Sequence, residues 1–267
     1  MPKGQLVNPQ TYFVGATAVD FDELQRYLED TAQKEFWHAI LAAKAEGLSD
    51  GEILVSYYAK LCYSALTTKK NENISQVRSI HDNLIGTIKS GHGSVFEHCY
   101  LNFTVTGCSR VLTHELVRHR VGTSFSQTSG RYVRADRLDL VIDPLLAPIN
   151  NEILQLQEHL EEWYVGAVDR MGLNNSLMPF DQKKKITSAL RRLLPNGQAN
   201  EIGFGVNLRS LRNLIVLRTS RHAEWEIRLV FNQIRSLVRS KFPALFEDEQ
   251  TELVDGQLEI TFSTDKL

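Results

Sequence analysis

The 267-residue sequence has few cysteines and no long apolar run, and both absences restrict the class of protein. The three cysteines, Cys62, Cys99 and Cys108, form no CxxC pair, so neither a disulfide framework nor a zinc ribbon is indicated. No apolar stretch approaches the ~18 residues of a membrane-spanning helix, and the N-terminal MPKGQLVNPQTYF lacks the apolar core of a signal peptide. We therefore expect a reducing, cytoplasmic setting, with no membrane partner and no bound metal.

An excess of charge of one sign is also missing. The chain has 30 Lys and Arg against 32 Asp and Glu, a net charge of −2. Such a balance gives no global attraction to nucleic acid or to an anionic membrane, so any anion site must be local. Hydrophobic residues at 42% and charged residues at 23% are ordinary for a globular protein. No internal repeat or low-complexity linker divides the chain, and we expect one domain over residues 1–267.

Apolar periodicity predicts many helices and few strands. Strict alternation predicts strands at 99–106, which Gly107 would end, and at 201–208, while Asp255-Gly256 predicts a hairpin turn. Residues 132–142 are expected to be extended. Helical spacing is found at 20–46, 50–66, 74–90, 109–121, 150–171, 181–194, 209–219 and 222–241. The prediction is an α+β fold, a helix-rich single domain with a small antiparallel sheet and a long helical N-terminal region at residues 1–50.

Several short motifs that would indicate a known chemistry are incomplete. His114-Glu115 does not begin a zinc helix, because the next histidine, His119, is five residues on and roughly 140° around the helix. GHGSVF and GFGVNL lack the third glycine of a dinucleotide loop, and no P-loop sequence occurs. Neither Cys99 nor Cys108 has an arginine six residues later, as a phosphate-binding cysteine loop would require. We predict that all three cysteines lie in the core and are not catalytic.

The segment RHRVGTSFSQTSGRY, residues 118–132, concentrates basic and hydroxyl side chains. Cations at a helix end complement the helix dipole, which accounts for Arg118 to Arg120. The helix dipole does not account for Gln127, Ser129 and Arg131, whose side chains can hydrogen-bond phosphate, carbonyl and amide groups. The composition therefore favours a polyanionic ligand of moderate size. Arg218 also ends a predicted helix, and an inward-facing cation there needs an anionic or hydrogen-bonding partner.

Three separated stretches together resemble the flavin-dependent thymidylate synthases. They are GHGSVFEH at 91–98, THELVRHRVGTSFSQTSGRYV at 113–133 and NLRSLRNLIVLRTSRHAEWEI at 207–227. The family signature is RHR, a seven-residue gap and a serine, followed closely by an arginine, and the match extends from Cys62 to about Phe246. Eight residues separate Arg120 from Ser129 here, so this loop is one residue longer. The extra residue is expected within 121–124, where Gly122 tolerates unusual dihedral angles.

The resemblance implies FAD as cofactor, dUMP as substrate and dTMP as product. It also implies NADPH and methylenetetrahydrofolate as co-substrates, and a homotetramer with active sites where subunits meet. Arg218 would be the catalytic group that activates the uracil ring. The residues implied at FAD are His92, Ser94, Arg118, His119, Arg120, Gln127, Asn207, Leu208, Arg209 and Asn213, with His222 a weaker candidate. Those implied at dUMP are Glu115, Leu116, Val117, Arg118, Gln127, Thr128, Ser129, Gly130, Arg131, Arg191 and Arg218.

The chemistry of these residues agrees with the roles that the resemblance implies. Guanidinium forks suit the phosphates of both ligands. Methylation at carbon 5 requires that carbon to become nucleophilic, and no cysteine is in an activated setting. A fixed arginine can instead favour the ring form deprotonated at nitrogen, and the flavin supplies a hydride.

Two alternatives to dUMP methylation stay open. The first is a flavin enzyme that methylates or hydroxymethylates another pyrimidine nucleotide, for which Glu115 and the longer loop leave room. The second is a nucleic-acid-binding protein that uses the basic runs at 118–131 and 183–192. The near-neutral total charge and the lack of a recognisable nucleic-acid module disfavour it, and a solvated helix face also accounts for the second run.

Overall fold

The structure is a computed structural model that describes residues 3–264. Its α-helices are α1 (Phe21–Asp30), α2 (Lys34–Ala45), α3 (Asp50–Cys62), α4 (Ile80–Lys89), α5 (Arg110–Leu116), α6 (Asn150–Arg170), α7 (Phe180–Leu190), α8 (Leu208–Thr219) and α9 (Trp225–Lys241). Short 3₁₀ helices cover Gly93–His98, Pro144–Ile149, Arg191–Leu193 and Pro243–Phe246. The strands are β1 (Gln10–Ala16), β2 (Tyr100–Cys108), β3 (Thr123–Gln127), β4 (Asn200–Asn207), β5 (Glu249–Val254) and β6 (Gln257–Phe262).

The first four strands form one antiparallel sheet in the order β1-β2-β4-β3. Directly opposed positions place Phe13, Phe103, Phe204 and Phe125 in a row across all four strands. The ring centroids of neighbours in this row are 5.5, 6.1 and 5.6 Å apart. Such cross-strand aromatic pairs fix the register of a sheet, because a slip of one residue would turn each ring to the other face.

Helices α8 and α9 cover the aromatic face of this sheet. The α9 side chains Ile227, Val230, Phe231, Ile234 and Val238 are all fully buried, as are most apolar side chains of α8. Together with α2, α3 and α4 they make one continuous core, whereas α6 and α7 pack around a smaller cluster near Tyr164. The predicted α+β class with a small antiparallel sheet is confirmed.

The N-terminal region differs from its prediction as a helical stretch over residues 1–50. Residues 10–16 form the edge strand β1, because the alternating Thr11 and Phe13 pair with β2. The helix predicted at 20–46 is two helices. They are separated at Ala32, whose φ is 56°, while the Thr31 hydroxyl donates to the Tyr27 carbonyl and ends α1. A second helix can then bury its own apolar face against the core.

Several predicted boundaries also move, each for a local reason. Helix α4 begins only at Ile80, because the Ser79 side chain caps it by accepting from the Asp82 amide. Gly107 does not end β2 but forms a bulge with a φ of 61°. Helix α5 ends at Leu116, so the RHR run follows the helix as a turn. Residues 132–142 form no strand, apart from isolated bridges at Leu140.

The predicted hairpin at Asp255-Gly256 is confirmed, with φ of 53° and 76° at its two turn residues.

A buried arginine fastens this hairpin region to α8. Arg212 is 1% exposed and donates to the Leu245 carbonyl at 2.5 Å and to the Asp248 carboxylate at 2.8 Å. Its guanidinium carbon also lies 3.7 Å from the centre of the Phe262 ring. Burial of a charge is tolerated here because a carboxylate and a carbonyl compensate it.

Within residues 3–264, no helix has both the length and the apolar content needed to cross a membrane.

We predict that Arg212→Met destabilises the protein by ~3–5 kcal/mol, because it leaves the largely buried Asp248 carboxylate without its partner. The free energy of unfolding, measured by chemical denaturation, checks this value. Arg26→Met is the matched control, since Arg26 pairs with Glu23 on the exposed surface of α1 and such pairs contribute little. Equal effects of the two substitutions would contradict a structural role for the buried pair.

Candidate active site

The ladder between β3 and β4 brings two distant segments of the chain together. Its last hydrogen bond runs from the Asn207 amide to the Gly122 carbonyl at 2.9 Å. Gly122 has a φ of 66°, as the predicted unusual dihedral requires, and a Cβ there would collide with Asn207 and Ser210. Gly122 therefore lets the turn after α5 lie directly against the start of α8, whereas the position of the extra loop residue stays a prediction.

Asn207 ends β4 and caps α8, since its side chain accepts from the Ser210 amide at 2.8 Å. The helix N-terminus opens into a cavity of about 650 Å³, which we call cavity A. The cavity is lined by Glu97, Arg118, His119, Arg120, Val121, Gly122, Asn207, Arg209, Ser210, Asn213 and Leu214. The helix dipole and the cationic lining both favour an anion at this position.

The charges of cavity A are largely uncompensated. Arg209 pairs with Glu97 at 2.6 Å, and the pair is roughly half exposed. Among the residues that the structure describes, Arg118 and Arg120 have neither an ion-pair partner nor a hydrogen-bonded carboxylate. Guanidinium groups bind phosphate in a bidentate manner, so this donor set is suited to a ligand with several phosphate oxygens.

Arg218, in the last turn of α8, is held by two groups of the α5 region. Its Nε donates to His119 Nε2 at 2.7 Å, and its Nη1 donates to Glu115 Oε2 at 3.0 Å. Burial and the Arg218 charge lower the pKa of His119, so the imidazole is neutral and accepts this hydrogen bond. The Thr123 hydroxyl donates to the His119 carbonyl at 2.5 Å and fixes the turn. The guanidinium plane is thus oriented, while its remaining N–H groups have no acceptor among residues 3–264 and are available to donate.

A second cavity, cavity B, has a volume of about 740 Å³. Its lining residues are Val111, His114, Glu115, Arg118, Asn196 and Arg218. Arg118 therefore lines both cavity A and cavity B, and the Glu115–Arg218 pair lies in the second. A ligand in one cavity and a ligand in the other would share this arginine.

A buried carboxylate of α9, Glu226, holds the N-terminus of α5 in place. Glu226 accepts from the Ser109 amide at 2.7 Å and from its hydroxyl, while Ser109 Oγ caps α5 by accepting from Leu112 N–H at 3.0 Å. Burial raises the pKa of Glu226, and burial together with Glu115 raises that of Glu224. The position of Glu115 is therefore fixed through Ser109 by a helix that does not line either cavity.

A third cavity, cavity C, has a volume of about 340 Å³ and includes Arg110, Thr128 and Gly130 in its lining. A Cβ on Gly130 would lie 3.3 Å from Arg191 Cδ and 3.5 Å from Arg110 Nη2, so both arginines approach this glycine closely. Burial and the charge of Arg191 lower the pKa of Arg110. Two neighbouring guanidinium groups of this kind favour an anion between them.

The remaining predicted site residues are dispersed. His92 and Ser94 lie at the start of the 3₁₀ helix Gly93–His98 and line neither cavity A nor cavity B. Leu116 and Leu208 are fully buried, and their side chains belong to the core. Gln127 donates to the Thr113 hydroxyl, and Ser129 accepts from the Arg131 amide. The side chains of Arg131 and His222 are exposed, whereas Val117 packs against the core.

Several lining residues were not predicted from the sequence, among them Glu97, Ser210 and Arg110. Glu97 lies in the GHGSVFEH stretch, and Ser210 is the third helical residue after the Asn207 cap, so both had a local signal. Arg110 had none, because its closeness to Gly130 arises only when the 128–130 loop packs against α5.

The cysteines are not arranged for catalysis. Burial raises the pKa of both Cys99 and Cys108 to about 12, so they are neutral thiols. The prediction that all three are core residues is wrong for Cys62, which is exposed at the end of α3. Between residues 3 and 264, no three His, Cys, Asp or Glu side chains cluster as a metal site would require.

Comparison with known proteins gives one consistent result. A family model described as thymidylate synthase complementing protein matches residues 45–244. The chain is 31% identical to the flavin-dependent thymidylate synthase of Clostridium tetani over 77% of its length and 84% of the relative. It is 34% identical to that of Mycobacterium marinum over 77% of its length and 83% of the relative.

Two solved structures have a similar fold. One is the UMP/dUMP methylase PolB from Streptomyces cacaoi bound with 5-Br UMP, with a TM-score of 0.60 at 17% identity, covering 92% of this chain and 96% of that one. The other is thymidylate synthase X from Helicobacter pylori with FAD and dUMP, with a TM-score of 0.52 at 23% identity, covering 74% of this chain and 93% of that one. At these identities the two structures support the fold alone.

We predict that iodoacetamide at neutral pH alkylates Cys62 in the folded protein and leaves Cys99 and Cys108 unmodified, because only the thiolate of an accessible cysteine reacts. Peptide mass spectrometry checks each site, and all three should react after unfolding. Cys62→Ser is the control and should take up no label when folded. Labelling of Cys99 or Cys108 in the folded protein would show that these thiols are accessible.

Proposed function

Because the chain belongs to the thymidylate synthase complementing protein family, we propose that it is a flavin-dependent thymidylate synthase that methylates dUMP. The balanced reaction is dUMP, methylenetetrahydrofolate, NADPH and a proton giving dTMP, tetrahydrofolate and NADP⁺. One catalytic domain over residues 1–267 and a cytoplasmic location remain predictions.

One observation carries this proposal: Arg118 lines both cavity A and cavity B, and Arg218 is held between Glu115 and His119 beside them. Reductive methylation requires two anionic ligands, a cofactor and a nucleotide, in contact with each other. An arginine shared by two cavities can bind both.

Cavity A has the donor set that FAD requires. Arg118, Arg120 and Arg209 would bind the pyrophosphate near the start of α8, and Asn207, Asn213 and His119 would hydrogen-bond other polar groups of the cofactor. FAD, when bound, supplies the hydride that turns the transferred one-carbon unit into a methyl group. His92, Ser94, Gln127 and the Leu208 backbone are proposed as further contacts.

The nucleotide would bind against cavities B and C. Arg191, Arg131 and Arg110 provide positive charge for its phosphate, with Ser129, Gly130 and the Thr128 backbone beside them. Arg218 would donate to the uracil ring and stabilise its nitrogen-deprotonated form, which makes carbon 5 nucleophilic. Glu115 and His119 keep the guanidinium plane fixed, so little reorganisation is needed as charge develops. Gln127 and the backbone of Leu116 and Val117 are proposed as lesser contacts.

We also propose that the active site is completed in a homotetramer. His92 and Ser94 lie apart from cavities A and B within one chain, and Arg131 is exposed at the surface. A second subunit that contributes its own copies of these residues would bring the dispersed set together.

We predict that Arg120→Ala weakens FAD binding on the order of tenfold or more, because an unpaired guanidinium that meets a phosphate is lost. The flavin absorbance of the purified protein and a titration with added FAD measure the effect. Arg192→Ala is the matched control, since Arg192 is exposed and lines neither cavity A nor cavity B. Full flavin occupancy in Arg120→Ala would remove this residue from the cofactor site.

Formation of dTMP from dUMP, methylenetetrahydrofolate and NADPH tests the function itself, and Arg218→Lys tests the mechanism. We expect the variant to fold, keep its flavin and allow NADPH to reduce it. The rate of dTMP formation should fall about 10²-fold or more, because an ammonium cannot replace a planar fork held by two acceptors.

The same assay with UMP separates dUMP methylation from methylation of another pyrimidine nucleotide. Flavin reduction in the same sample is the control for folding and cofactor content. Near-normal dTMP formation by Arg218→Lys would reject Arg218 as the catalytic residue, whereas no dTMP from the unmodified enzyme would reject the function.

A further inference from the structure

A fourth cavity lies between α3, α4 and the segment 65–78, away from the candidate active site. This cavity D has a volume of about 370 Å³. Its lining is Ala59, Lys60, Tyr63, Ala65, Asn73, Ile74, Ser75, Gln76, Arg78, Asn83, Gly86, Thr87, Ser90 and His92. No Asp or Glu is among them, so its ionisable lining consists of Lys60, Arg78, His92 and the Tyr63 phenol.

Lys60 is the buried polar group of cavity D. The residue is 2% exposed, and its Nζ donates to the Arg78 carbonyl at 2.9 Å. An ammonium has three donors, and no carboxylate accepts from it among residues 3–264. Burial and the Arg78 charge lower the Lys60 pKa to about 8, against a smaller opposing effect of Asp82. The Phe36 ring, whose centre lies 5.8 Å from Nζ, stabilises this charge in part, and an anion or further acceptors would stabilise it more.

The surroundings of Lys60 add donors rather than acceptors. Asn83 Oδ1 accepts from the Ser56 hydroxyl at 2.8 Å, which leaves the Asn83 amide NH₂ available to donate. The Arg78 guanidinium is exposed and has no ion-pair partner in the described part of the chain. An ammonium, an amide NH₂ and a guanidinium around one cavity form a site for an oxyanion.

Cavity D is connected to the active site by the 3₁₀ helix Gly93–His98. His92, at the N-terminal end of this helix, lines cavity D, while Glu97 lines cavity A and pairs with Arg209. Five residues of 3₁₀ helix span roughly 10 Å. A ligand with its reactive end near cavity A and an anionic end about that far away could therefore reach Lys60.

We propose that cavity D binds the oxyanion end of a co-substrate whose reactive end lies at cavity A. This inference rests on the proposed function, in which two co-substrates have such ends, namely the phosphates of NADPH and the glutamate carboxylates of the folate. Lys60 and the Asn83 amide bind the oxyanion inside the cavity, and Arg78 meets it at the surface. Apart from His92, which is also proposed as an FAD contact, the residues of this site are distinct from the contacts proposed for FAD and dUMP.

The experiment follows the Lys60 side chain directly. The pKa of Lys60 is measured from its ¹³Cε shift by NMR in the flavin-loaded protein, alone and with NADP⁺ or tetrahydrofolate. We expect the pKa to rise with one of the two, because a bound anion favours the charged form. The ligand that raises it identifies the source of the oxyanion. Lys60→Met assigns the resonance.

Steady-state kinetics give the second measurement. Lys60→Met should raise the KM of the same co-substrate about tenfold, while kcat and the KM of dUMP change little. Lys60→Arg keeps the charge and should restore the KM. Lys89→Met is the matched control, since Lys89 is an exposed cation of α4 outside cavity D.

The outcomes separate this proposal from the proposed function. An unchanged Lys60 pKa with both ligands overturns it and leaves Lys60 as a structural contact of the Arg78 carbonyl. A folded Lys60→Met variant with wild-type KM for both co-substrates also overturns the proposal. If the enzyme forms no dTMP but NADP⁺ or tetrahydrofolate raises the Lys60 pKa, the proposed function fails and the oxyanion site stands.

Discussion

The hydrogen bond from the Asn207 amide to the Gly122 carbonyl is the interaction on which the candidate active site depends. It is the last bond of the β3–β4 ladder, and it joins the turn after α5 to the residue that caps α8. Cavity A exists because these two segments meet there, one contributing the RHR run and the other a helix N-terminus. The Phe125–Phe204 pair in the same ladder ties this junction to the core, so a shift in sheet register would move the site as well.

The arginines of this protein divide into two groups that differ in how their charge is compensated. Arg212 is fully buried, bonded to Asp248 and covered by the Phe262 ring, as a structural cation must be. Arg118 and Arg120 remain at cavity A without carboxylate partners in the described part of the chain, which leaves their donors available for a ligand. Arg218 is intermediate, because Glu115 and a neutral His119 fix its orientation while part of its fork stays free. Orientation without full compensation is what electrostatic stabilisation of a developing charge requires.

Most of the fold could be predicted from the sequence, because its elements have strong local signals. The alternation around Phe103 and Phe204 gave two central strands, and the turn at Asp255-Gly256 gave the closing hairpin. The strand β1 was missed, since it lies at the sheet edge, where its exposed side chains include the apolar Tyr12 and Val14 and no regular apolar–polar alternation results. The break at Ala32 was missed as well, because helical periodicity continues on both sides of it. Boundaries of this kind are decided by capping and tertiary packing rather than by periodicity.

By itself, the sequence determined which chemistry is present: donor-rich stretches around Arg118, Asn207 and Arg218, no activated cysteine, and a resemblance carried by three motifs in order. Only the tertiary structure decided how these residues combine, because contacts between segments about 100 residues apart have no local signal. It paired Arg218 with Glu115 and His119, brought Arg110 next to Gly130, and buried the side chains of Leu116 and Leu208. The composition of the site was therefore local information, whereas its geometry came from the antiparallel sheet that joins β3 to β4.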